Sequence, residues 1–176
     1  MTPPTELIWQ GKYITVYRKG RWEYVGRANA IHAAVIIAID DGPSGAAHDR
    51  HVLLVEQYRV PLKTNTIELP AGLVGDESAG EGIEIAALRE LEEETGYTAA
   101  HIEIIGEFAS SPGMVSETFT LVRAHGLTKI HEGGGVEGEN ITVHRVVLAD
   151  VPAFVVAKRA EGLVIDVKLM LLLGLI

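Results

Sequence analysis

No cysteine occurs in the 176 residues. Disulfides, thiolate metal sites and a cysteine nucleophile are therefore excluded, and a reducing compartment suits the chain. Positive charge is also short. The 15 Lys and Arg stand against 24 Asp and Glu, a formal net charge of −9, which argues against a nucleic-acid backbone as partner because like charges repel. No stretch is apolar for the ~20 residues that a membrane-spanning helix needs. The most apolar one, "LVIDVKLMLLLGLI", is shorter, carries Asp166 and Lys168, and reads as a packed terminal helix. The opening "MTPPTELIWQGKY" has no basic segment leading into an apolar run, so it does not read as a signal peptide; the expectation is a cytoplasmic protein without membrane association. The seven histidines show no H-x-x-x-H spacing, and G-x-S-x-G, Rossmann and P-loop patterns are missing.

What is present is an apolar fraction of 47% and a charged fraction of 22%, the proportions of an ordinary globular domain with one core. "KYITVYRKGRWEYVG" reads as two strands around a Lys19-Gly20 turn, with Trp22 and Tyr24 as cross-strand packing. "IHAAVIIAID" and "HVLLVEQYRV" are buried strands separated by the polar loop "DGPSGAAHDR". "TIELPAGL" is a short strand stopped by Pro70. A helix is expected from about Gly82 to Thr95, closed by Gly96 in the left-handed conformation. "HIEIIGEFA", "TFTLVRAH" and "ITVHRVVLA" follow as strands, and Asp150 caps a helix through about Ala160. The pattern predicts a mixed α/β (α+β) domain, mainly strands around one acidic helix.

That helix raises a physical question. Between Gly75 and Tyr97 there are eight acids and one cation, Arg89. At ~100° per residue, Glu90 and Glu94 lie within ~40° of each other and Glu93 sits ~60° from Glu90, on the stripe that also carries Ile83 and Ala87. A solvated helix would supply Lys or Arg at i+4; here Glu90 and Glu94 form a like-charge pair, unfavourable by about 0.2–0.5 kcal/mol even when exposed. Carboxylates turned toward packed surface need a counter-charge, and hard oxygen ligands without Cys or clustered His point to Mg²⁺, with Mn²⁺ as substitute.

Gly75, five residues, Glu81, seven residues, then "RELEEETGY" resembles in full the Nudix box, G-x5-E-x7-R-E-U-x-E-E-x-G-U. The resemblance implies the Nudix fold, an α/β/α sandwich around a mixed sheet, and Mg²⁺-dependent cleavage of a nucleoside diphosphate linked to another group. It implies that Glu90, Glu93 and Glu94 are metal ligands or their support, that Arg89 holds the array, and that Glu81 has a supporting role. In many relatives the glycine of the preceding "PAG" turn opens the box. Here Gly75 does, and the turn from Gly72 is three residues longer.

Features outside the box resemble the ADP-ribose pyrophosphatase branch. "VEQYR" and "IELPAG" look like its paired strands, implying ligand contacts from Arg59, Glu68 and Gly72 and a metal bond from the Ala71 carbonyl. Pro112, in "SSPGMVSE", with Glu117 just beyond, matches the loop that contacts substrate. The N-terminal strands, residues 1–28, look like a dimerising appendage to a catalytic domain over 29–176. The loop "HEGGGVEGEN", whose three glycines suggest mobility, implies Glu139 as a metal ligand and Glu137 as general base, or the two exchanged. The expected substrate is ADP-ribose or a related ADP-sugar, cleaved to AMP and ribose 5-phosphate in that case. GDP-mannose is the alternative, and a non-hydrolysing sensor a third reading that the intact box disfavours.

Overall fold

The computed structural model describes residues 3–28, 32–42, 44, 46, 49–75 and 80–173. Strand β4, His32–Asp40, is apolar at every position from Ala33 to Ile39, which suits a strand covered on both faces. Its alternate side chains serve two cores. Ala34, Ile36 and Ala38 join Ala87 and Leu91 of helix α1, Ile83–Thr95, on one face. Val35, Ile37 and Ile39 join Ile67, Leu169 and Leu172 on the other, where Phe154 and Val155 of helix α2, Val151–Ala160, also pack. The result is helix on sheet on helix.

The sheet is mixed. β5 (His51–Arg59) runs antiparallel to β4, β6 (Thr64–Glu68) antiparallel to β5, and β9 (Thr118–Lys129) parallel to β4 with β8 (Tyr97–Ala109) antiparallel beyond it. β10 (Thr142–Val147) adds to β5, and the short β11 (Val164–Ile165) lies parallel to β6. Pro70 ends β6 as expected, and its carbonyl accepts a hydrogen bond from Ile36 N at 2.8 Å. The chain then pairs β7, Ala71–Val74, with the first half of β4, while β5 holds only its end. This crossing brings Ala71 and Gly72 beside the acidic stripe of α1.

Before β4, a separate antiparallel sheet contains β1 (Thr5–Gln10), β2 (Ile14–Lys19) and β3 (Trp22–Arg27). Two of these were expected. β1 is exposed along its whole length and so has no alternating signal to read. Tyr24 stacks on Tyr17 across the β2–β3 pair, ring centroids 5.4 Å apart, whereas Trp22 is exposed. The sheet is tied to the loop after β8: Val25 N donates to Met114 O and Ser116 N to Val25 O. The expected boundary at residue 29 meets residues 29–31, which lie outside the described residues, as do 43, 45, 47 and 48 of the β4–β5 loop and 76–79 of the lengthened turn.

The expected C-terminal helix takes a different form. Residues 164 and 165 extend the sheet edge, and a 3-10 helix, Val167–Leu173, follows. The free edge of β6 accepts a strand there, and Asp166 N bonds Ile67 O at 3.0 Å before the chain can coil. Asp166 does cap the turn, its Oδ1 accepting Lys168 N at 2.7 Å. Among the described residues no helix is long and apolar enough to cross a membrane.

Candidate active site

A cleft of about 660 Å³ opens between β7, the β5–β6 hairpin, the acidic face of α1 and the C-terminal segment. Its floor includes Ala71, Gly72, Glu90, Glu94 and Glu139. Helical periodicity brings Glu90 and Glu94 there, and the crossing at Pro70 brings the backbone opposite. The fit is close. A Cβ on Gly72 would stand 1.8 Å from the Glu90 carboxyl carbon, so only glycine leaves that carboxylate its place. Glu90 and Glu94 are 9% and 5% exposed. Ala71 N donates to Glu94 Oε2 at 3.0 Å, and no cation is bonded to Glu94 among the described residues. Burial pushes its carboxyl up to about 8 against that bond, and the charges of Glu90, Glu139 and Glu68 push the same way.

Arg89 organises the other acids. It donates from Nη1 to Glu90 Oε1 at 2.9 Å and Glu93 Oε2 at 3.3 Å, from Nη2 to Leu73 O at 3.0 Å, and from Nε to Glu81 Oε1 at 3.2 Å. One planar guanidinium thus ties α1 to β7 and to Glu81, two residues before the helix begins. Gly75 N also donates to Glu81 at 3.1 Å, and with Arg89 it holds the Glu81 carboxyl below its ordinary range.

The triple-glycine loop does something other than the expected loosening. Gly134 N donates to Glu94 O at 2.9 Å and Gly135 N to Glu93 O at 3.0 Å, while Ile130 N and His131 N both bond Gly96 O. These N–H groups satisfy the orphan carbonyls at the end of α1. The contact is backbone on backbone: a Cβ on Gly133 would meet Thr95 C at 2.4 Å, and one on Gly96 (φ 75°) would meet His131 O at 2.1 Å. The loop is pinned to the helix that carries the acids, and this brings Glu139 onto the cleft wall. Its Oε2 accepts Val136 N at 2.9 Å. Glu137 is exposed and does not line the cleft.

On the opposite wall Arg59 donates to Glu68 twice, at 2.7 and 2.8 Å. Burial pushes the Glu68 carboxyl up, but Arg59, Thr66 and the nearby Lys168 outweigh it and hold the group below its ordinary range. Arg27 pairs with Glu117 at the side nearest the N-terminal sheet. Glu81, Glu93 and Pro112 do not line this cleft; Pro112 borders a separate hollow of about 360 Å³ with Trp22 and Tyr24. Arg27, Asp166 and Lys168 are cleft residues that sequence reasoning missed. The Arg27–Glu117 pair spans 90 positions, and no local pattern signals it.

Among the described residues, no three acid or imidazole side chains already stand as a cage for one ion. The donor set nevertheless fits Mg²⁺, which is commonly held by one or two carboxylates with substrate phosphates completing its shell. Glu94, buried beside Glu90 and Glu139, is a concentration of negative charge that a divalent cation would relieve. Without a cation, Glu94 keeps a proton when folded that it would release when unfolded, between its ordinary value of 4.5 and about 8. That stabilisation is complete below 4.5 and lost as pH rises through about 8. In EDTA, therefore, the stability of wild-type protein relative to Glu94→Gln should fall over this window by on the order of a few kcal/mol. Thermal melts at a series of pH values check it, and a constant difference would contradict it.

Residues 30–153 match the NUDIX domain family model. The chain is 36% identical over 128 residues to the methanol dehydrogenase activator of Bacillus methanolicus, covering 72% of this chain and 64% of that protein. It thus spans just under two thirds of that relative's length. It is 34% identical over 155 residues to the ADP-ribose pyrophosphatase of Bacillus subtilis, covering 82% of this chain and 77% of that one. A solved structure described as an ADP compounds hydrolase superposes with a TM-score of 0.67 at 21% identity, over 92% of this chain and 94% of the other. The fold is the one which that structure shares.

Proposed function

The chain belongs to the Nudix family, and from that premise we propose that it hydrolyses the diphosphate bridge of ADP-ribose or a closely related ADP-sugar. For ADP-ribose the products are AMP and ribose 5-phosphate. The observation that carries this reading is the buried pair Glu90 and Glu94, facing a cleft on which Glu139 and the Ala71–Gly72 backbone converge.

Mg²⁺ would be held by Glu90, Glu94 and the Ala71 carbonyl, with Glu139 facing it across the cleft. When bound it neutralises the diphosphate and makes the phosphorus easier to attack. The protein supplies the rest. Arg89 fixes the carboxylate of Glu90 and steadies Glu93 and Glu81 behind it. Gly72 lets substrate and backbone approach the acids closely. Glu139 Oε2 is held by Val136 N, leaving Oε1 to accept the proton of the attacking water; Glu137 stays at the rim. Arg59, oriented by Glu68, grips the group beyond the diphosphate.

The enzyme works as a homodimer through the N-terminal sheet, the appendage that ends near residue 28. Leu7, Ile8, Trp9 and Tyr13 are 49% to 69% exposed there, an apolar surface typical of an interface.

Incubation with ADP-ribose and Mg²⁺ should yield AMP and ribose 5-phosphate by chromatography, and EDTA should abolish both. Turnover of GDP-mannose in place of ADP-ribose would replace the substrate assignment. Binding of ADP-ribose without any cleavage would make the protein a sensor.

A further inference from the structure

Three cations line the cleft, and they are not held alike. Arg59 is fixed by two hydrogen bonds to Glu68 on the neighbouring strand, and Arg27 by Glu117 across 90 positions. Lys168 is bonded only to Asp166, two residues earlier on the same turn, among the described residues. The 3-10 turn that carries them begins where β11 has joined the open edge of β6. From there Lys168 leans across the cleft, its Nζ 6.0 Å from the ring centroid of Phe119 on β9. The ammonium thus lies toward the β9 wall and near enough to Glu68 to favour its charged form, and Leu169 and Leu172 anchor the segment in the core at 1% exposure each.

We propose that Lys168 is a substrate-binding residue that exchanges Asp166 for a phosphate oxygen of the substrate's diphosphate. The assignment rests on the hydrolase reading above and adds the C-terminal segment to its site. A diphosphate entering a cleft with acids on its floor needs cations on the oxygens that face away from that floor. Arg27 and Arg59 are each held in place by a carboxylate on another element. Lys168 has only to swing a flexible stem away from a neighbour on its own turn, and a lysine ammonium recognises phosphate as a point charge. Asp166 then serves two ends: Oδ1 keeps the turn capped, and Oδ2 parks the ammonium while the cleft is empty.

The test is calorimetric binding of the α,β-methylene analogue of ADP-ribose, which cannot be cleaved at the bridge, to the full chain in Mg²⁺. Lys168→Met keeps the apolar stem over Phe119 and should loosen the analogue by roughly ten- to a hundredfold, the loss expected for one charge-assisted hydrogen bond. Lys168→Arg should recover part of it. Asp166→Asn should tighten binding, a gain that no folding defect can imitate. Unchanged affinity in Lys168→Met would overturn the assignment. So would Asp166→Asn loosening the analogue as Lys168→Met does, since the pair would then be a structural clip. If wild-type protein neither binds the analogue nor cleaves any nucleoside diphosphate sugar, the hydrolase reading falls and this assignment with it.

Discussion

Glu94→Gln should fold, bind substrate and turn it over at least about a hundredfold more slowly, the scale of loss when one preorganised electrostatic partner is taken from a reacting diphosphate. The change is close to isosteric. The amide oxygen can still accept Ala71 N, which now donates to Glu94 Oε2 at 3.0 Å, so the contact between α1 and β7 survives. What disappears is a carboxylate that the cleft holds ready for a cation. The deficit should therefore appear in kcat, with KM changed much less. Glu90→Gln should behave alike, but its oxygen also receives Arg89 at 2.9 Å, so a weakened ion pair accompanies it. The two carboxylates face one cleft and repel each other, and the double variant should cost less than the two effects added. Near-wild-type turnover by both single variants would remove these carboxylates from the chemistry and leave the cleft without a reaction.

The acidic helix was legible because everything that defines it is local. Its acids repeat at helical spacing, Gly96 closes it with φ 75°, and Ala87 and Leu91 mark the buried side. The strand runs of β4 and β5 were legible for a similar reason: a strand covered on both faces reads as an uninterrupted apolar run. Glu139 reached the site as part of a resemblance, and the physical cause emerged only in three dimensions, where Gly134 and Gly135 cap the helix that carries Glu93 and Glu94. Three glycines in sequence suggest looseness, yet their positive φ angles and bare backbones serve close packing here. The C-terminal segment misled for the opposite reason. Its apolar composition suits a helix, but the open edge of β6 took its first residues as a strand. No window of sequence contains that edge, so Asp166 and Lys168 could not be placed in the cleft beforehand.

Arg89→Met should be the most damaging single change to the architecture of the site. The side chain is 17% exposed, and it reaches Glu81 and Glu90, whose side chains are 5% and 11% exposed. Removing one member of a buried ion pair leaves the other charge unpaired in poor solvent, a cost of about 3–5 kcal/mol for the Arg89–Glu90 pair. Methionine replaces the stem's apolar volume, so a cavity is not the cause. The Leu73 carbonyl, bonded at 3.0 Å, loses its donor as well, and β7 is left with the Ala71–Glu94 bond as its hydrogen-bonded link to α1 among the described residues. Arg89→Lys keeps the charge, but a single ammonium cannot reproduce a fork that serves three carboxylates and a carbonyl at once, so it should recover only part of the stability. Urea unfolding at pH 7 with EDTA measures this directly. The expected order of midpoints is wild type, then Lys, then Met. If Met equals wild type, the acids of this helix are solvated independently of Arg89, and the preorganisation argued for Glu90 has no physical basis.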